Sequence, residues 1–146
     1  MRKILISACL IGDKCNYKGQ SNFTPKFQEL AEKGYELVPF CPEVEGGLPT
    51  PRLPNEIRNS QVVRSDGKDV TREFESGAKK ALMLCDLLGI KIAILKEASP
   101  SCGTHEVHDG HFQGRKIPGL GWTARKLKEK GIEVYSENEI DKILEK

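Results

Sequence analysis

Apolar residues fall along this chain in two rhythms. Four short runs are continuous, rich in β-branched residues and too brief for helices: Lys3 to Ala8, Tyr35 to Phe40, Lys91 to Leu95 and Ile132 to Tyr135. They predict buried strands. Pro39 implies that the second of these finishes or is unpaired at that residue. Between the runs, apolar residues recur every three or four positions, which predicts helices. One spans Pro25 to Gly34 on Phe27, Leu30 and Ala31; the longest, capped by Asp69 or Thr71, runs to about Leu88 on Phe74, Ala78, Ala81, Leu82, Cys85 and Leu88. Gly89 ends it, Trp122 to Lys130 forms another helix stopped by Gly131, and Glu137 to Lys146 forms a terminal one. Gln61 to Arg64 reads as a short strand followed by an Asp66-Gly67 turn.

Two segments carry neither rhythm. From Pro42 to Asn59 the prolines at 42, 49, 51 and 54 and the pair Gly46-Gly47 argue against any regular element, while Val44, Leu48, Leu53 and Ile57 argue against disorder. A structured binding loop is expected. Thr104 to Gly121 is rich in Gly and His and reads as a second irregular, functional segment. No repeat or low-complexity tract interrupts the alternation of strand and helix. Right-handed crossovers then give a single-domain, three-layer, Rossmann-like α/β fold over residues 1–146, with a central, mostly parallel sheet of about four or five strands.

Composition narrows the function classes. A chain of 146 residues is one domain by length, with enough buried surface to need no staples. Lys and Arg number 23 against 21 Asp and Glu, a net charge of +2, too balanced to call for a nucleic-acid polymer or a membrane as partner. No apolar stretch reads as a signal peptide or membrane span, so a cytoplasmic location is expected. Five cysteines are an odd count, poor for a disulfide framework, and in a reducing compartment they are more often free, metal-binding or catalytic.

Position sorts those cysteines. In an open parallel sheet the carboxyl ends of the strands share one edge, where ligands bind. Cys9 follows the first strand, Cys41 the second, and Cys102 lies shortly after the run ending at Leu95. Cys85 sits on a helix as a small core residue. Cys15, in a polar loop, is left open as a bystander, a resolving thiol or a further ligand. Three thiolates on one edge suit iron–sulfur or zinc chemistry, unless their placement is coincidence. A 4Fe-4S cluster held by three cysteines keeps one iron open, as a Lewis acid requires. A rival zinc site would use Cys102, His105, His108 and His111, three residues apart, if that stretch were helical; Gly103, Gly110 and Gly114 argue against it. Glu43 is an acid–base candidate or a surface residue, Ser101 an active-site hydroxyl, and Ser99 a turn-former or substrate contact. Arg52 is a ligand contact or a loop-stapling ion pair, and the helix start near Asp69 to Thr71 is a secondary place for a phosphate.

The motifs Ser7-Ala8-Cys9-Leu10-Ile11-Gly12, Cys41-Pro42-Glu43, Gly46-Gly47-Leu48-Pro49-Thr50-Pro51-Arg52, Gly67-Lys68-Asp69-Val70-Thr71 and Leu95-Lys96-Glu97 with Ser99-Pro100-Ser101-Cys102-Gly103 occur in that order. With Asp109-Gly110, Phe112 and Gly114 they resemble the thiouracil desulfurase (TudS) family over nearly the whole chain. The resemblance implies an oxygen-sensitive 4Fe-4S cluster on Cys9, Cys41 and Cys102, with one open iron. It implies redox-neutral removal of sulfur from a thiopyrimidine base, nucleoside or nucleotide: the open iron binds the thiocarbonyl sulfur, water attacks the carbon and sulfide leaves. Glu43 and Ser101 match its proton handlers, and Arg52, Ser99 and His108 are expected to face the substrate. His108 stands where the family leads one to expect Tyr, which points to an altered substrate preference. A non-catalytic iron–sulfur, sulfur-binding or redox-sensing module is the alternative from another class, and a zinc protein a third.

Overall fold

The continuous apolar runs form strands and the three-and-four-spaced stretches form helices. A computed structural model describes residues 2–146. In chain order these contain β1 (Lys3–Ser7), α1 (Phe27–Glu32), β2 (Glu36–Phe40), α2 (Pro42–Glu45), β3 (Asn55–Arg58), β4 (Gln61–Arg64), α3 (Thr71–Leu88), β5 (Ile92–Leu95), β6 (Glu106–His108), β7 (Lys116–Pro118), α4 (Trp122–Glu129), β8 (Glu133–Ser136) and α5 (Ile140–Leu144). Short 3-10 turns follow β1 (Ala8–Ile11) and β8 (Glu137–Glu139).

The central sheet has four parallel strands in the order β2-β1-β5-β8. Because side chains alternate along a strand, Ile4 and Ile6 of β1 and Ile92 and Ile94 of β5 point to one face. There they pack with Phe27 and Leu30 of α1 and Ile140 and Ile143 of α5. Leu5, Ala93 and Leu95 point to the other face and meet Ala81 and Cys85 of α3 and Ala124 and Leu127 of α4. This is the expected three-layer α/β domain. Contrary to expectation, β2 neither finishes nor is unpaired at Pro39, which stands in register with Ile6 while Phe40 pairs with Ser7; the proline is tolerated because β2 lies at the edge of the sheet. The start of α3 differs from expectation: its N-cap residue is Val70, with no side-chain cap, and Asp69 instead accepts the Thr71 N–H at 2.8 Å in the turn before the helix. Among the described residues no helix is long and apolar enough to cross a membrane.

Three further expectations need correction. The segment 42–59 is not wholly irregular: Pro42 begins the one-turn helix α2, since proline at the first helical position loses no hydrogen bond, and Asn55–Arg58 is a strand. Gln61–Arg64 is a strand but stands outside the central sheet, pairing antiparallel with β3. The Gly- and His-rich segment holds a second antiparallel hairpin, β6–β7, whose three-residue strands are too short to show periodicity.

Glycines set the seat of α2 against α3. A Cβ on Gly77 would stand 2.0 Å from the carbonyl oxygen of Pro42, and one on Gly46 would stand 2.1 Å from that of Glu73. Each helix therefore presses its backbone into a gap left by the other's missing side chain.

Candidate active site

In the central sheet β1 and β5 are neighbours, but the chain leaves β1 toward β2 on one side and leaves β5 toward β8 on the other. Such a reversal opens a crevice at the carboxyl ends of the strands. Here it is a cavity of about 720 Å³. Its floor holds Cys9, Cys41 and Cys102; its walls come from the β3–β4 and β6–β7 hairpins and from the loop carrying Cys15 to Asn22.

Each thiol is placed by its own element. Cys9 lies in the 3-10 turn after β1 and accepts a hydrogen bond from Asn22 Nδ2 at 3.2 Å. Cys41 is extended at the start of α2. Cys102 is fixed from α4, whose first N–H groups donate to Pro100 and Ser101: Trp122 to Pro100 O at 2.8 Å, Thr123 and Ala124 to Ser101 O at 2.8 and 3.1 Å. Ser7 at the end of β1 accepts the Lys96 N–H at 3.0 Å and donates to Cys102 Sγ at 3.3 Å, so one hydroxyl ties β1 to the loop after β5.

Their protonation differs. The Cys15 thiol lies against both Cys41 and Cys9 and hydrogen-bonds toward them. That hydrogen bond lowers Cys41 to about 7 against the effect of burial, with help from the Val44 N–H and Arg52. It also lowers Cys9, together with Asn22 and Lys96. Cys15 is correspondingly raised. Burial pushes Cys102 up to about 12 although Ser7 and Ser101 face its sulfur. An all-sulfur donor set suits a soft metal or an iron–sulfur cluster, whose positive charge would compensate the buried Cys102 thiolate. Among the described residues no three His, Cys, Asp or Glu side chains converge as one metal ion requires. Cys9, Cys41 and Cys102 line one open cavity.

Beside Cys102 lies a polar chain. Ser101 Oγ is 3.0 Å from Glu43 Oε2, 3.0 Å from Ser99 Oγ and 3.6 Å from Cys102 Sγ. Ser99 Oγ accepts the N–H groups of Ser101 and Cys102 at 3.2 and 3.1 Å, so its proton is free for Ser101, whose own proton then goes to the carboxylate. Arg52 Nε donates to Glu43 Oε1 at 3.1 Å, and both side chains are nearly buried, 5% and 11% exposed. The remaining Arg52 contacts are Pro49 O, Thr50 Oγ1 and Cys15 O. Arg52 forms the loop-stapling ion pair and orients Glu43, and it also lines the cavity, where the sequence places it toward the substrate.

Glu97 is the hub of the loop that carries Ser99 to Cys102. Its Oε1 accepts the N–H groups of Thr104, His105 and Glu106 at 2.8, 2.9 and 3.1 Å, and its Oε2 meets Thr104 Oγ1 and His105 Nδ1, each at 2.7 Å. Burial opposes its charge, but His105, Thr104 and the Glu106 N–H together hold its carboxyl well below the usual range.

The zinc arrangement does not form. The residues from 102 to 111 make no helix; His105 is bound to Glu97, His111 is exposed, and only His108 faces the cavity with Cys102. At the helix start near Asp69 to Thr71 the Asp69 carboxylate accepts the Thr71 N–H. Ser99 and His108 line the cavity as expected. Several cavity residues escaped the sequence: Ser7 and Asn22, which serve the thiols, and Asn55 and Glu56, which come from the second strand hidden in the proline-rich segment. Only Ser7, two residues before Cys9, carried any signal.

Comparison with known proteins agrees with this picture. Residues 4–139 match the 2-thiouracil desulfurase family. The chain is 40% identical to an uncharacterized protein, YbbK, of Bacillus subtilis (strain 168), over 97% of this chain and 99% of that one. It is 44% identical to a solved structure of a 4Fe-4S-dependent thiouracil desulfidase, TudS. That match covers 99% of this chain and 96% of the other at a TM-score of 0.93.

Proposed function

Since this chain belongs to the 2-thiouracil desulfurase family, an enzyme family of desulfuration, we propose that its thiol-lined cavity exchanges the sulfur of a thiopyrimidine for oxygen. The observation that carries the reading is the meeting of Cys9, Cys41 and Cys102 on one cavity floor, with the Ser101–Glu43 pair against Cys102. The three thiolates would hold a 4Fe-4S cluster. Bound there, the cluster supplies an open iron that acts as a Lewis acid on the thiocarbonyl sulfur.

The chain's own residues then manage water and protons. Glu43, held at Oε1 by Arg52, takes a proton from the attacking water at Oε2. Ser101 Oγ, hydrogen-bonded to that same oxygen and near Cys102, passes a proton on to the departing sulfur and recovers one from the Glu43 carboxyl, which carries the proton taken from water, while Ser99 Oγ holds Ser101 in place. One C=S bond becomes C=O, one water is consumed, sulfide leaves, and no electrons are gained or lost. A small uncharged base needs no basic surface, in keeping with the near-neutral chain.

The test is anaerobic purification with iron and sulfide analysis, followed by sulfide release from 2-thiouracil, 4-thiouracil and thiouridine nucleotides without reductant. Iron-loaded protein that releases sulfide is expected, with loss of both iron and turnover in Cys9→Ala. Absence of iron, or full activity in Cys9→Ala, overturns the proposal. A loaded cluster with no turnover on any thiopyrimidine would instead identify a non-catalytic sulfur-binding module.

A further inference from the structure

We infer that Phe112 and Asn55, on the two hairpins, select the substrate: the Phe112 ring stacks on a flat heterocycle and the Asn55 carboxamide pairs with its ring N–H edge. The identity of that heterocycle rests on the desulfuration reading above. Phe112 has φ +54, in the left-handed region that a bulky side chain rarely adopts. It belongs to none of the three apolar core clusters, so core packing does not account for that conformation. What holds it is a device built from β3. Glu56, only 7% exposed, accepts the N–H groups of Gly110 and Phe112 on one oxygen, at 2.9 and 3.2 Å. Arg58 donates to the carbonyl of Gly110, and its guanidinium carbon lies 6.0 Å from the centre of the Phe112 ring. A buried carboxylate and a guanidinium thus fix an unfavourable backbone, and the result is an aromatic ring on the cavity wall. Strain maintained in this way is characteristic of ligand-contacting positions.

Asn55 adds an independent observation. It is 6% exposed, it lines the same cavity, and its Oδ1 is buried without a hydrogen-bond partner. Buried acceptors are seldom left unpaired. A carboxamide offers a donor and an acceptor side by side, the complement of a lactam or thiolactam edge, where a ring N–H adjoins a carbonyl. His108 Nδ1, on β6 in the same cavity, is likewise buried and unpartnered. The two hairpins therefore bring a stacking face and unmet polar groups to the same cavity that carries the thiols.

Cluster-loaded protein assayed anaerobically on 2-thiouracil separates these roles from a structural one. Phe112→Leu should raise both KM and the inhibition constant of uracil roughly tenfold, the scale of one base–aromatic stack, with kcat changed by less than about threefold. Phe112→Tyr, which keeps the ring, should stay near the wild-type values. Wild-type protein should be inhibited more tightly by uracil than by 1,3-dimethyluracil, which has no ring N–H, and Asn55→Ala should bring that ratio toward one. Iron content and melting temperature accompany each variant. Unchanged KM and inhibition constant in Phe112→Leu, or an unchanged inhibitor ratio in Asn55→Ala, overturns the inference while wild-type turnover stands. If the wild type releases no sulfide from any thiopyrimidine, the desulfuration reading fails and the inference falls with it.

Discussion

Gly77→Ala sets helix propensity against the position of the site. On propensity alone the change stabilises, because Ala exceeds Gly in a helix interior by about 1 kcal/mol. The new Cβ, however, would stand 2.0 Å from the Pro42 carbonyl oxygen and 2.8 Å from its carbon. Reaching ordinary contact at 3.4 Å requires the helices to part by about 1.4 Å. The 18-residue α3 is anchored by Phe74, Ala78, Ala81 and Cys85, all buried, whereas α2 is a single turn of four residues. The yielding element is therefore α2, which carries Glu43 and begins at Cys41. A displacement of that size breaks the 3.0 Å contact between Ser101 and Glu43. Misplacement by about 1 Å costs on the order of 100-fold in rate. Overpacking costs about 1–3 kcal/mol, partly offset by propensity, so the protein stays folded with a modest loss of stability. Anaerobic sulfide release, thermal melting and iron content read the three effects separately. Turnover of Gly77→Ala within about threefold of wild type, under about 0.7 kcal/mol of barrier, would refute the seating role assigned to the two glycines.

Other substitutions probe the remaining parts. Ser101→Ala removes the hydroxyl between Glu43 and Cys102 and should lower kcat by roughly 10²–10³-fold with little change in KM; a kcat within about twofold contradicts the relay. In cluster-free protein near neutral pH, alkylation followed by mass spectrometry should label Cys41 well before Cys102 and Cys85, whose thiols burial pushes up to about 12 and about 11. Equal labelling of all three argues against those environments. Glu97→Gln should lower the melting temperature at neutral pH. Because the folded carboxyl is held below its ordinary value of about 4.3, its contribution is complete above that pH and is lost as pH falls further, so the gap between variant and wild type should close in acid. A gap that stays constant down to about pH 2 excludes the linkage.

The sheet and its helices were legible because buried strands and amphipathic helices impose different periods on the sequence. The alternation of Ile4, Leu5 and Ile6 between two faces needed only the strand repeat, and the rim position of Cys9, Cys41 and Cys102 followed from topology. The walls of the cavity were not legible. Strands of three and four residues such as Glu106–His108 and Asn55–Arg58 are too short to carry a period, and their pairing is long-range. Pro42 read as a helix breaker because its effect depends on position within the helix, and it occupies the first place, where the missing N–H costs nothing. Cys15 could not be assigned from its loop, since only folding brings it against Cys9 and Cys41. Arg52 had two plausible roles in sequence, and only the fold shows that its ion pair with Glu43 forms at the cavity wall.

The β3–β4 and β6–β7 hairpins hang outside the parallel sheet and brace one another through Glu56 and Arg58. On the function proposed above, metal chemistry and ligand choice fall on different stretches of chain. Mutational drift at the hairpin tips can explore new heterocycles while the sheet keeps its thiols in register, so descendants of one ancestral sequence can diverge in diet without rebuilding the reaction.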